Sequence, residues 1–425
     1  MLTGRKEDKA IFVSLLQTDF YTFTVGWFAK KYYPDVNVTY RFKNRTPNTK
    51  LGLLLDMGEL REHLDEAQKI RFAVGELQWL NGIFQYGREC MFPIEFIEFL
   101  RDLTFPEYHL EKSGDEILLE FSGPWPISIH WEIPALMIVN TLMNRARTKN
   151  MSRSELASVY ATGTLNLAGK TKALKTHKEW CQIRHKPLLT FSDFGTRRCF
   201  SPEWQEYVVD MLKAEVPDQF RGTSNCYLAK KLDLMPMGTR SHQGDMIIAA
   251  LANTEEELLS SPFKACDQWA ETFGPGLYTH LTDTYSSPHF FKHAPSHLAK
   301  WKAIRQDSGD PYVYGELALK WYERHGEDPK TKILIPSDGL NLPLIIKLHK
   351  HFMPRISVSS GWGTNLTNDL GLPPASIVIK PHTVNGRGAV KLSDNISKAM
   401  GTPEDIETYN KAFKYSGTFD HACYY

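Results

Sequence analysis

A histidine between a predicted strand and a predicted helix is the first candidate for chemistry in this sequence. His242 ends the segment MGTRSH (residues 237–242), which follows the apolar run 232–237, and a helix is expected to begin near Asp245. The amino end of a helix carries unpaired N–H groups and partial positive charge, so it favours a phosphoryl group. There His242 could be phosphorylated or could move protons beside a phosphate. Taken alone, His242 is more simply interpreted as a solvated loop histidine.

Two further loops after predicted strands carry charged side chains. The segment GTRR (residues 195–198) places two arginines after a glycine, which suits bidentate binding of a carboxylate or phosphate but also a solvated basic loop. The segment RQDSGDP (residues 305–311) combines a cation with carboxylates that suit ribose hydroxyls or Mg²⁺. Asp310-Pro311 within it is also a good helix start, and both interpretations can hold together.

Turns of small residues follow two late predicted strands. They are SDG (residues 337–339) and GWGTN (residues 361–365). Small residues let backbone N–H groups approach a phosphate, as in barrel proteins whose phosphate site lies after late strands. The two turns together therefore favour a phosphate site.

Aromatic and histidine side chains give weaker signals. Tyr21 and Arg45 lie in segments that mix aromatic and cationic residues, so they are candidates for contact with a flat heterocycle, while the flanking phenylalanines are expected in the core. His289 and His293 have the i, i+4 spacing of a metal site, but no third ligand lies near them in the sequence.

These candidates come together only if the strands before them are parallel. Apolar runs, most of them ending in Gly, Ser, Asp or Arg, recur at residues 188–191, 232–237, 277–281, 301–304, 333–335, 356–358 and 377–379. Helices are predicted after several of them, at residues 245–252, 311–323 and 342–352. Alternating strands and helices indicate an α/β fold, and this many units favours a barrel. One barrel mouth would then collect Asp193, Arg197, His242, Asp283, Arg305, Asp307, Asp338 and Gly363.

The first part of the chain has mixed α and β patterns. Predicted there are a helix at residues 14–32, strands at 36–42, 117–121 and 127–130, a helix opened by Pro134, and a longer helix started by the capping box of Ser152 and Glu155. We therefore predict a smaller α+β domain over residues 1–135 and a barrel with a C-terminal extension over residues 136–425.

The composition excludes some classes of partner. The 425 residues are 42% hydrophobic and 23% charged, with a formal net charge of +1. This is ordinary globular composition, with length for two or three domains. A charge near zero gives no global field that attracts nucleic acid or a membrane, so an anionic ligand needs a local cluster of basic groups.

No targeting segment or disulfide framework is predicted. The apolar run of residues 11–16 is too short for a signal sequence or a membrane span. The cysteines are scattered, without a CxxC pair or metal-ligand spacing, at Cys90, Cys181, Cys199, Cys226, Cys266 and Cys423. We therefore expect a reduced, cytoplasmic protein with free thiols.

Read in order, the segments resemble the nicotinate phosphoribosyltransferase family. The matches, spread over about residues 14–401, are SLLQTDFYTFT, VTYRFKNRTPN, FSDFGTRR, MGTRSHQ, LTDTY, RQDSGDP, PSDGL, GWGTNLTND and VKLSD. Each is weak alone, but their joint presence in this order is highly specific.

The resemblance implies a fold and a reaction. The fold is that of a type II phosphoribosyltransferase, an irregular α/β barrel with a smaller N-terminal α+β sandwich-like domain. The reaction couples nicotinate to 5-phosphoribosyl-1-pyrophosphate and gives nicotinate mononucleotide and pyrophosphate, in NAD salvage by the Preiss–Handler pathway. It uses Mg²⁺, and ATP hydrolysis drives it through a phosphorylated histidine, which His242 matches.

The resemblance also implies roles for the other candidates. Arg197 would bind the nicotinate carboxylate, with Thr196 of the same turn among the substrate-binding residues. Tyr21, from the neighbouring subunit of a homodimer, and Arg305 would stack on the ring, and Asp283 and Asp307 would lie near the ribose and the metal. The 5-phosphate would bind at the two turns that contain Ser337, Asp338, Gly339, Gly361, Gly363 and Thr364.

Two positions depart from the family pattern. Gln243 stands where many relatives carry Glu, and loss of that carboxylate could weaken activation of His242. Residues 286–288, SSP, replace an expected glycine-containing loop. The alternatives are a transferase for nicotinamide or quinolinate and a non-catalytic homologue; the Arg197 match argues against nicotinamide, and the intact charged motifs argue against loss of catalysis.

Overall fold

The computed structural model describes residues 10–46, 48–84 and 90–415. The strands are β1 Asn37–Asn44, β2 Tyr108–Ser113, β3 Glu116–Pro124, β4 Thr190–Asp193, β5 Phe220–Thr223, β6 Thr279–Leu281, β7 Ala303–Gln306, β8 Ile333–Pro336, β9 Ser357–Trp362, β10 Ile377–Val384 and β11 Arg387–Gly388. The α-helices are α1 Tyr21–Tyr32, α2 Leu51–Leu54, α3 Met57–Lys69, α4 Val74–Asn81, α5 Ile94–Arg101, α6 Trp125–Ser128, α7 Glu132–Thr148, α8 Arg153–Ile183, α9 Pro202–Glu215, α10 Cys226–Lys231, α11 His242–Ala250, α12 Glu255–Thr272, α13 Ser287–His293, α14 Pro311–Arg324, α15 Leu342–Phe352, α16 Thr364–Thr367 and α17 Pro403–Ala412.

A six-stranded parallel sheet forms the larger part of the fold. Its strand order is β5-β4-β9-β8-β7-β6. The predicted apolar runs at β4, β6, β7, β8 and β9 are confirmed as its strands, and α14 and α15 follow β7 and β8 as expected. The polar residues after these strands therefore lie along one edge, as the α/β interpretation requires. The hydrogen-bonded order runs from β5 to β6, and closure into a barrel stays a prediction.

A separate antiparallel sheet belongs to the N-terminal part, in the order β11-β10-β1-β3-β2. The run 377–379, predicted as a barrel strand, lies in β10 and pairs instead with β1, from Val38 opposite Val384 to Asn44 opposite Ile377. A continuous apolar run has the same appearance in a parallel strand and in any other fully buried strand, so the sequence pattern could not separate the two. As a result, a strand from the second half of the chain completes the N-terminal sheet.

Two other predicted strands are wrong. Residues 127–130 lie in α6 and the 3₁₀ turn after it, where Pro126 occupies the first turn of the helix and favours helix initiation. Residues 232–237 follow α10 as a loop, in which only Pro236 forms an isolated bridge, to Thr223. A proline lacks the N–H that a ladder needs, and Asp233 has a φ of +47°, so this segment cannot continue as a strand.

The predicted helix start is confirmed at α8 and is wrong at α1. The capping box of Ser152 and Glu155 opens α8, a helix of 31 residues, as predicted. The first predicted helix begins only at Tyr21, because the segment before it pairs with the loop after β5 instead. There Asp19 bridges Asn225, and the Phe20 N–H donates to the Ser224 carbonyl at 2.8 Å. This pairing fixes the start of α1 against the parallel sheet of the same chain.

One large apolar core runs through both parts of the molecule. It includes the buried rings of Trp125, Trp131, Trp204 and Trp362. A smaller cluster beneath α17 contains Tyr285, Leu392, Tyr409 and Phe413, among others. None of the helices over the described ranges is both long and apolar enough to cross a membrane.

Candidate active site

A polar pocket opens where the carboxyl ends of the parallel strands face α1 and the N-terminal sheet. Its lining includes seven cationic side chains besides His242. The lining residues are Tyr21, Arg45, Phe194, Arg197, Arg198, Ser241, His242, Leu281, Arg305, Asp307, Ser337, Asp338, Gly339, Leu340, Gly363, Thr364, Asn365, Val378, Lys380, Lys391 and Lys398. Most of the residues expected at a barrel mouth therefore share one cavity, although they are far apart in the sequence.

His242 is the first residue of α11, three positions before the predicted start of that helix. Its ring is buried, and both ring nitrogens lie close to polar side chains. Nε2 lies 2.9 Å from Oδ2 of Asp307 and 3.6 Å from Oδ1 of Asp283. Nδ1 lies 3.0 Å from the hydroxyl oxygen of Thr284. The imidazole is thus held in one orientation, with Nε2 directed at two carboxylates.

A chain of buried polar groups behind His242 selects the tautomer of the ring. Asp245 forms an ion pair with Arg240, and it accepts a hydrogen bond from the hydroxyl of Thr284 at 2.8 Å. Because that bond uses the only hydroxyl hydrogen of Thr284, its oxygen must accept from Nδ1–H of His242. The proton of a neutral imidazole then lies on Nδ1, and the lone pair lies on Nε2, toward Asp283 and Asp307.

The surroundings keep this imidazole neutral. Burial and the nearby ammonium of Lys391 lower the pKa of His242 to about 4, against the opposing influence of the carboxylates. A neutral ring at physiological pH retains the nitrogen lone pair that a nucleophile or metal ligand needs.

The two carboxylates beside Nε2 are held by different partners. Asp283 accepts hydrogen bonds from Ser308 at 2.6 Å and from Lys391 at 3.2 Å, while Arg305 donates to Asp307 at 2.7 Å. Burial opposes ionisation of both groups, but the positive charges outweigh it: Lys391 lowers the pKa of Asp283, and Arg305 lowers that of Asp307. Both carboxylates are therefore ionised at neutral pH.

This cluster has the donor atoms of a cation site. Oδ1 of Asp283 is buried, and no described group donates a hydrogen bond to it. One ligand atom from each of His242, Asp283 and Asp307 lies within 4.8 Å of the others. Ionised carboxylate oxygens are the ligands that Mg²⁺ prefers, so the residues present fit a divalent cation.

Arg305 joins the cluster to the turn after β8. Its Nε donates to the hydroxyl of Ser337 at 2.8 Å, and the guanidinium carbon lies 5.4 Å from the ring centroid of Phe194. The resemblance implies that Arg305 stacks on a substrate ring; in the structure it stacks on Phe194. The phenylalanine of the FSDFGTRR segment is therefore an aromatic surface of the pocket that the sequence analysis did not identify.

Arg197 and Tyr21 lie in the pocket together. No hydrogen bond or ion pair connects the Arg197 side chain to another residue in the described part of the chain. A planar guanidinium without a protein partner is suited to bind a carboxylate through two parallel hydrogen bonds. Burial and the negative charge of Glu132 raise the pKa of Tyr21 well above its usual value, so its hydroxyl stays protonated.

Tyr21 lies in the pocket of its own chain, whereas the resemblance implies a contribution to the pocket of a neighbouring subunit. The cause is the pairing of the preceding segment with the loop after β5, reinforced by Thr24, whose hydroxyl donates to the Thr239 carbonyl at 2.6 Å. The pocket is therefore lined by this tyrosine without a second copy of the chain.

The predicted phosphate-binding residues of the two turns line the pocket, with the exception of Gly361. Residues 337–339, Gly363 and Thr364 line the pocket, and Gly339 has a φ of +57°, which favours glycine. Gly361 does not line it. A Cβ atom there would lie 2.5 Å from the Phe194 ring, so this glycine lets the ring pack closely.

Three further candidates lie behind the pocket wall. Thr196 is fully buried and contacts the hydroxyl of Ser224 at 3.3 Å, so it supports the Arg197 turn from below. Asp193 accepts from the Gly195 N–H at 2.8 Å and shapes the same turn. Asp283 touches His242 but is absent from the lining.

Several charged residues of the pocket were missed by the sequence analysis as functional candidates. Lys391 lies in the matched VKLSD segment, but its pairing with Asp283 depends on the fold. Lys398 forms an ion pair with Asp338, and Lys380 forms one with Glu132 at 2.9 Å. The sequence did offer one signal for Lys380: a single lysine directly after the apolar run of residues 377–379.

Gln243 does not contact His242. Its side chain accepts a hydrogen bond from the Tyr40 hydroxyl and donates one to Glu132 at 3.1 Å. It therefore belongs to the network of Glu132 and Lys380.

Comparisons with known proteins agree with this pocket. Residues 16–140 match the model of the nicotinate phosphoribosyltransferase (NAPRTase) N-terminal domain, and residues 189–417 match that of the nicotinate phosphoribosyltransferase (NAPRTase) family. A nicotinate phosphoribosyltransferase structure from Porphyromonas gingivalis is 28% identical, with a TM-score of 0.82 over 95% of this chain and 100% of that one. One from Vibrio cholerae is 28% identical, with a TM-score of 0.84 over 96% and 95%.

The fold and the pocket thus have the form of an α/β enzyme, with cationic side chains, a histidine and two carboxylates at the ends of its parallel strands. The chain belongs to the nicotinate phosphoribosyltransferase family.

Proposed function

We propose that the chain transfers the phosphoribosyl group of 5-phosphoribosyl-1-pyrophosphate to nicotinate in NAD salvage, coupled to ATP hydrolysis through phosphorylated His242. The observation that carries the proposal is that one pocket contains both His242, neutral and held in one orientation, and Arg197, which has no hydrogen bond or ion pair to a described side chain. The names of the similar solved structures support nicotinate as the base.

The base is proposed to bind between Arg197 and the aromatic side chains. The guanidinium would donate hydrogen bonds to the nicotinate carboxylate, and Tyr21 and Phe194 offer faces for a flat pyridine ring. Nicotinamide lacks the negative charge that Arg197 would neutralise, so the same pocket would bind it less well.

The donor is proposed to bind across the cationic wall. Its 5-phosphate would lie at residues 337–339 and at Gly363 and Thr364, where backbone N–H groups can approach it. Lys391, Lys398 and Arg305 would compensate the remaining negative charge. Breakage of the bond between the anomeric carbon and pyrophosphate leaves oxocarbenium character on the ribose, which the ionised Asp283 and Asp307 would stabilise.

Asp283 and Asp307 would also hold Mg²⁺, which supplies positive charge beside the leaving pyrophosphate when it is bound. The buried Oδ1 of Asp283 without a hydrogen-bond donor supports this assignment.

The coupling step would use Nε2 of His242. Its lone pair would form a bond to the γ-phosphorus of ATP as the bond from that phosphorus to the β–γ bridging oxygen breaks, and ADP would leave. Nδ1–H, held by Thr284, needs no proton transfer in this step. Water would later take the phosphoryl group and restore the histidine. The added charge would reposition groups around the pocket and couple hydrolysis to product formation.

The reaction can be tested with purified protein, labelled phosphoribosyl donor and Mg²⁺, with nicotinate, nicotinamide or quinolinate, each with and without ATP. We expect nicotinate mononucleotide from nicotinate, faster with ATP. No product from any base would overturn the proposed function, and product from nicotinamide alone would overturn the role of Arg197. The same preparation, run on a sizing column, would test the homodimer that the family resemblance implies.

A further inference from the structure

A second cluster of potential ligand atoms lies outside the pocket, where the end of α8 meets α15. His177 and Cys181 lie one turn apart on α8, and His349 lies on α15, 172 residues along the chain from His177. All three side chains are buried, with exposed fractions of 4%, 0% and 1%. Nothing in the proposed reaction uses them.

The three ligand atoms converge on one point. Nε2 of His177 lies 3.1 Å from Nδ1 of His349 and 3.7 Å from Sγ of Cys181, and all three atoms lie within 4.8 Å of one another. Zn²⁺ binds nitrogen at about 2.0–2.1 Å and sulfur at about 2.3 Å in tetrahedral geometry. Those bond lengths imply separations of roughly 3.4 Å between two nitrogens and roughly 3.5 Å between nitrogen and sulfur. The two measured separations therefore match the edges of a zinc tetrahedron to within a few tenths of an ångström.

We propose that His177, Cys181 and His349 form a binding site for a divalent transition metal of borderline softness, of which Zn²⁺ is the type. One thiolate and two imidazoles are donors that such an ion prefers over Mg²⁺ or Ca²⁺. The ion would join the end of α8 to α15, the helix that leads into β9 and its glycine turn.

The ion would be bound by the thiolate form of Cys181. The thiol proton would therefore leave to solvent, and about one proton should be released per ion bound.

The other histidine pair offers a useful contrast. His289 and His293 lie close, with ring centroids 4.5 Å apart, but no third His, Cys, Asp or Glu completes a group with them among the residues the structure describes. The group around His242 contains no sulfur. A signal that requires a metal–thiolate bond therefore reports on Cys181 and not on either of these.

The test uses the full chain, freed of metal by a chelator and titrated with Co²⁺ and then Zn²⁺. We expect a sulfur-to-cobalt charge-transfer band and intense tetrahedral d–d bands that together report one thiolate-bound Co²⁺ per chain and that are displaced by Zn²⁺. Calorimetry in buffers of different ionisation enthalpy should give about one proton released per Zn²⁺.

Cys181→Ser should remove the charge-transfer band, and Cys226→Ser, a matched change at another buried cysteine, should leave it intact. If Cys181→Ser does not fold, His177→Gln gives the same comparison, with loss of the tetrahedral bands. Absence of a thiolate band in the wild-type protein, or a band that persists in Cys181→Ser, would overturn the site. Neither readout depends on transferase activity.

Discussion

Nε2 of His242 lies 2.9 Å from Oδ2 of Asp307, on the side of the ring that carries the lone pair. Two groups with available electron pairs thus face each other in a buried site. Such a contact is unfavourable unless a proton, a cation or a phosphoryl group lies between them. The positions of His242 and the two carboxylates are therefore those expected of a site that binds a cation or a phosphoryl group between them.

The first prediction concerns the phosphoacceptor. His242→Asn should abolish both phosphoenzyme formation and the stimulation of transfer by ATP, and leave slow ATP-independent transfer, because the donor and base sites are otherwise intact. Labelled phosphate on the protein from γ-labelled ATP, and rates with and without ATP, measure the two effects. His289→Asn, outside the pocket, is the control. Undiminished ATP stimulation in His242→Asn would exclude His242 as the phosphoacceptor.

The second prediction concerns the groups behind His242. Thr284→Val preserves shape but removes the acceptor for Nδ1–H, so phosphoenzyme formation should slow roughly tenfold, the effect of one lost hydrogen bond of about 1–1.5 kcal/mol. ATP-independent transfer should change little. Thr284→Ser keeps the hydroxyl and should restore the rate. Equal loss in both variants would indicate a packing role for this position.

The third prediction concerns base selectivity. Arg197→Lys replaces a planar fork by a point charge and should raise the KM for nicotinate about 30-fold or more, which corresponds to about 2 kcal/mol. Activity with nicotinamide, which lacks the carboxylate, should fall far less. The ratio of kcat/KM for the two bases measures the change. An unchanged ratio would show that Arg197 does not contact the carboxylate.

The loop motifs and strand ends could be predicted from the sequence, because an apolar run followed by Gly, Asp or Arg is a signal carried by adjacent residues. Pairings between distant segments could not be predicted, because no adjacent residues indicate them. The position of Lys391 against Asp283 and the pairing of β10 with β1 depend on the whole fold. His349 completes the α8 cluster from 172 residues away, so no cysteine spacing could indicate that site.

Residues 286–288, where the sequence lacks an expected glycine, adopt a backbone conformation that usually requires one. Ser286 has a φ of +84°, a conformation that favours glycine, in the loop where the family pattern carries one. Its side chain accepts a hydrogen bond from the His289 N–H at 3.3 Å and so caps α13. The loop therefore keeps the backbone shape of a glycine turn without the glycine.

The fourth prediction concerns acid stability. Burial lowers the pKa of His130 to about 3, so between pH 6.5 and 3 the unfolded chain binds a proton there that the folded chain does not. Stability from this group is complete above pH 6.5 and falls as the pH falls, by about 2 kcal/mol at pH 5. In His130→Gln the thermal midpoint should therefore drop less between pH 7 and pH 5 than in the wild type. His109→Gln, at an exposed position, should not change the drop, and an equal drop in His130→Gln would contradict the assignment.

The last prediction concerns Gln243, at the position where the family resemblance leads us to expect Glu. Because its side chain bonds to Tyr40 and Glu132 and not to His242, the missing carboxylate does not weaken the histidine directly. Gln243→Glu would set a second carboxylate within hydrogen-bond distance of the buried Glu132, which forms an ion pair with Lys380. Two like charges there should lower the thermal midpoint, and ATP stimulation should not rise. Glu132→Gln in the same background removes the repulsion and should recover part of the lost stability. Higher ATP stimulation in Gln243→Glu would instead mean that this side chain reaches His242 during the reaction.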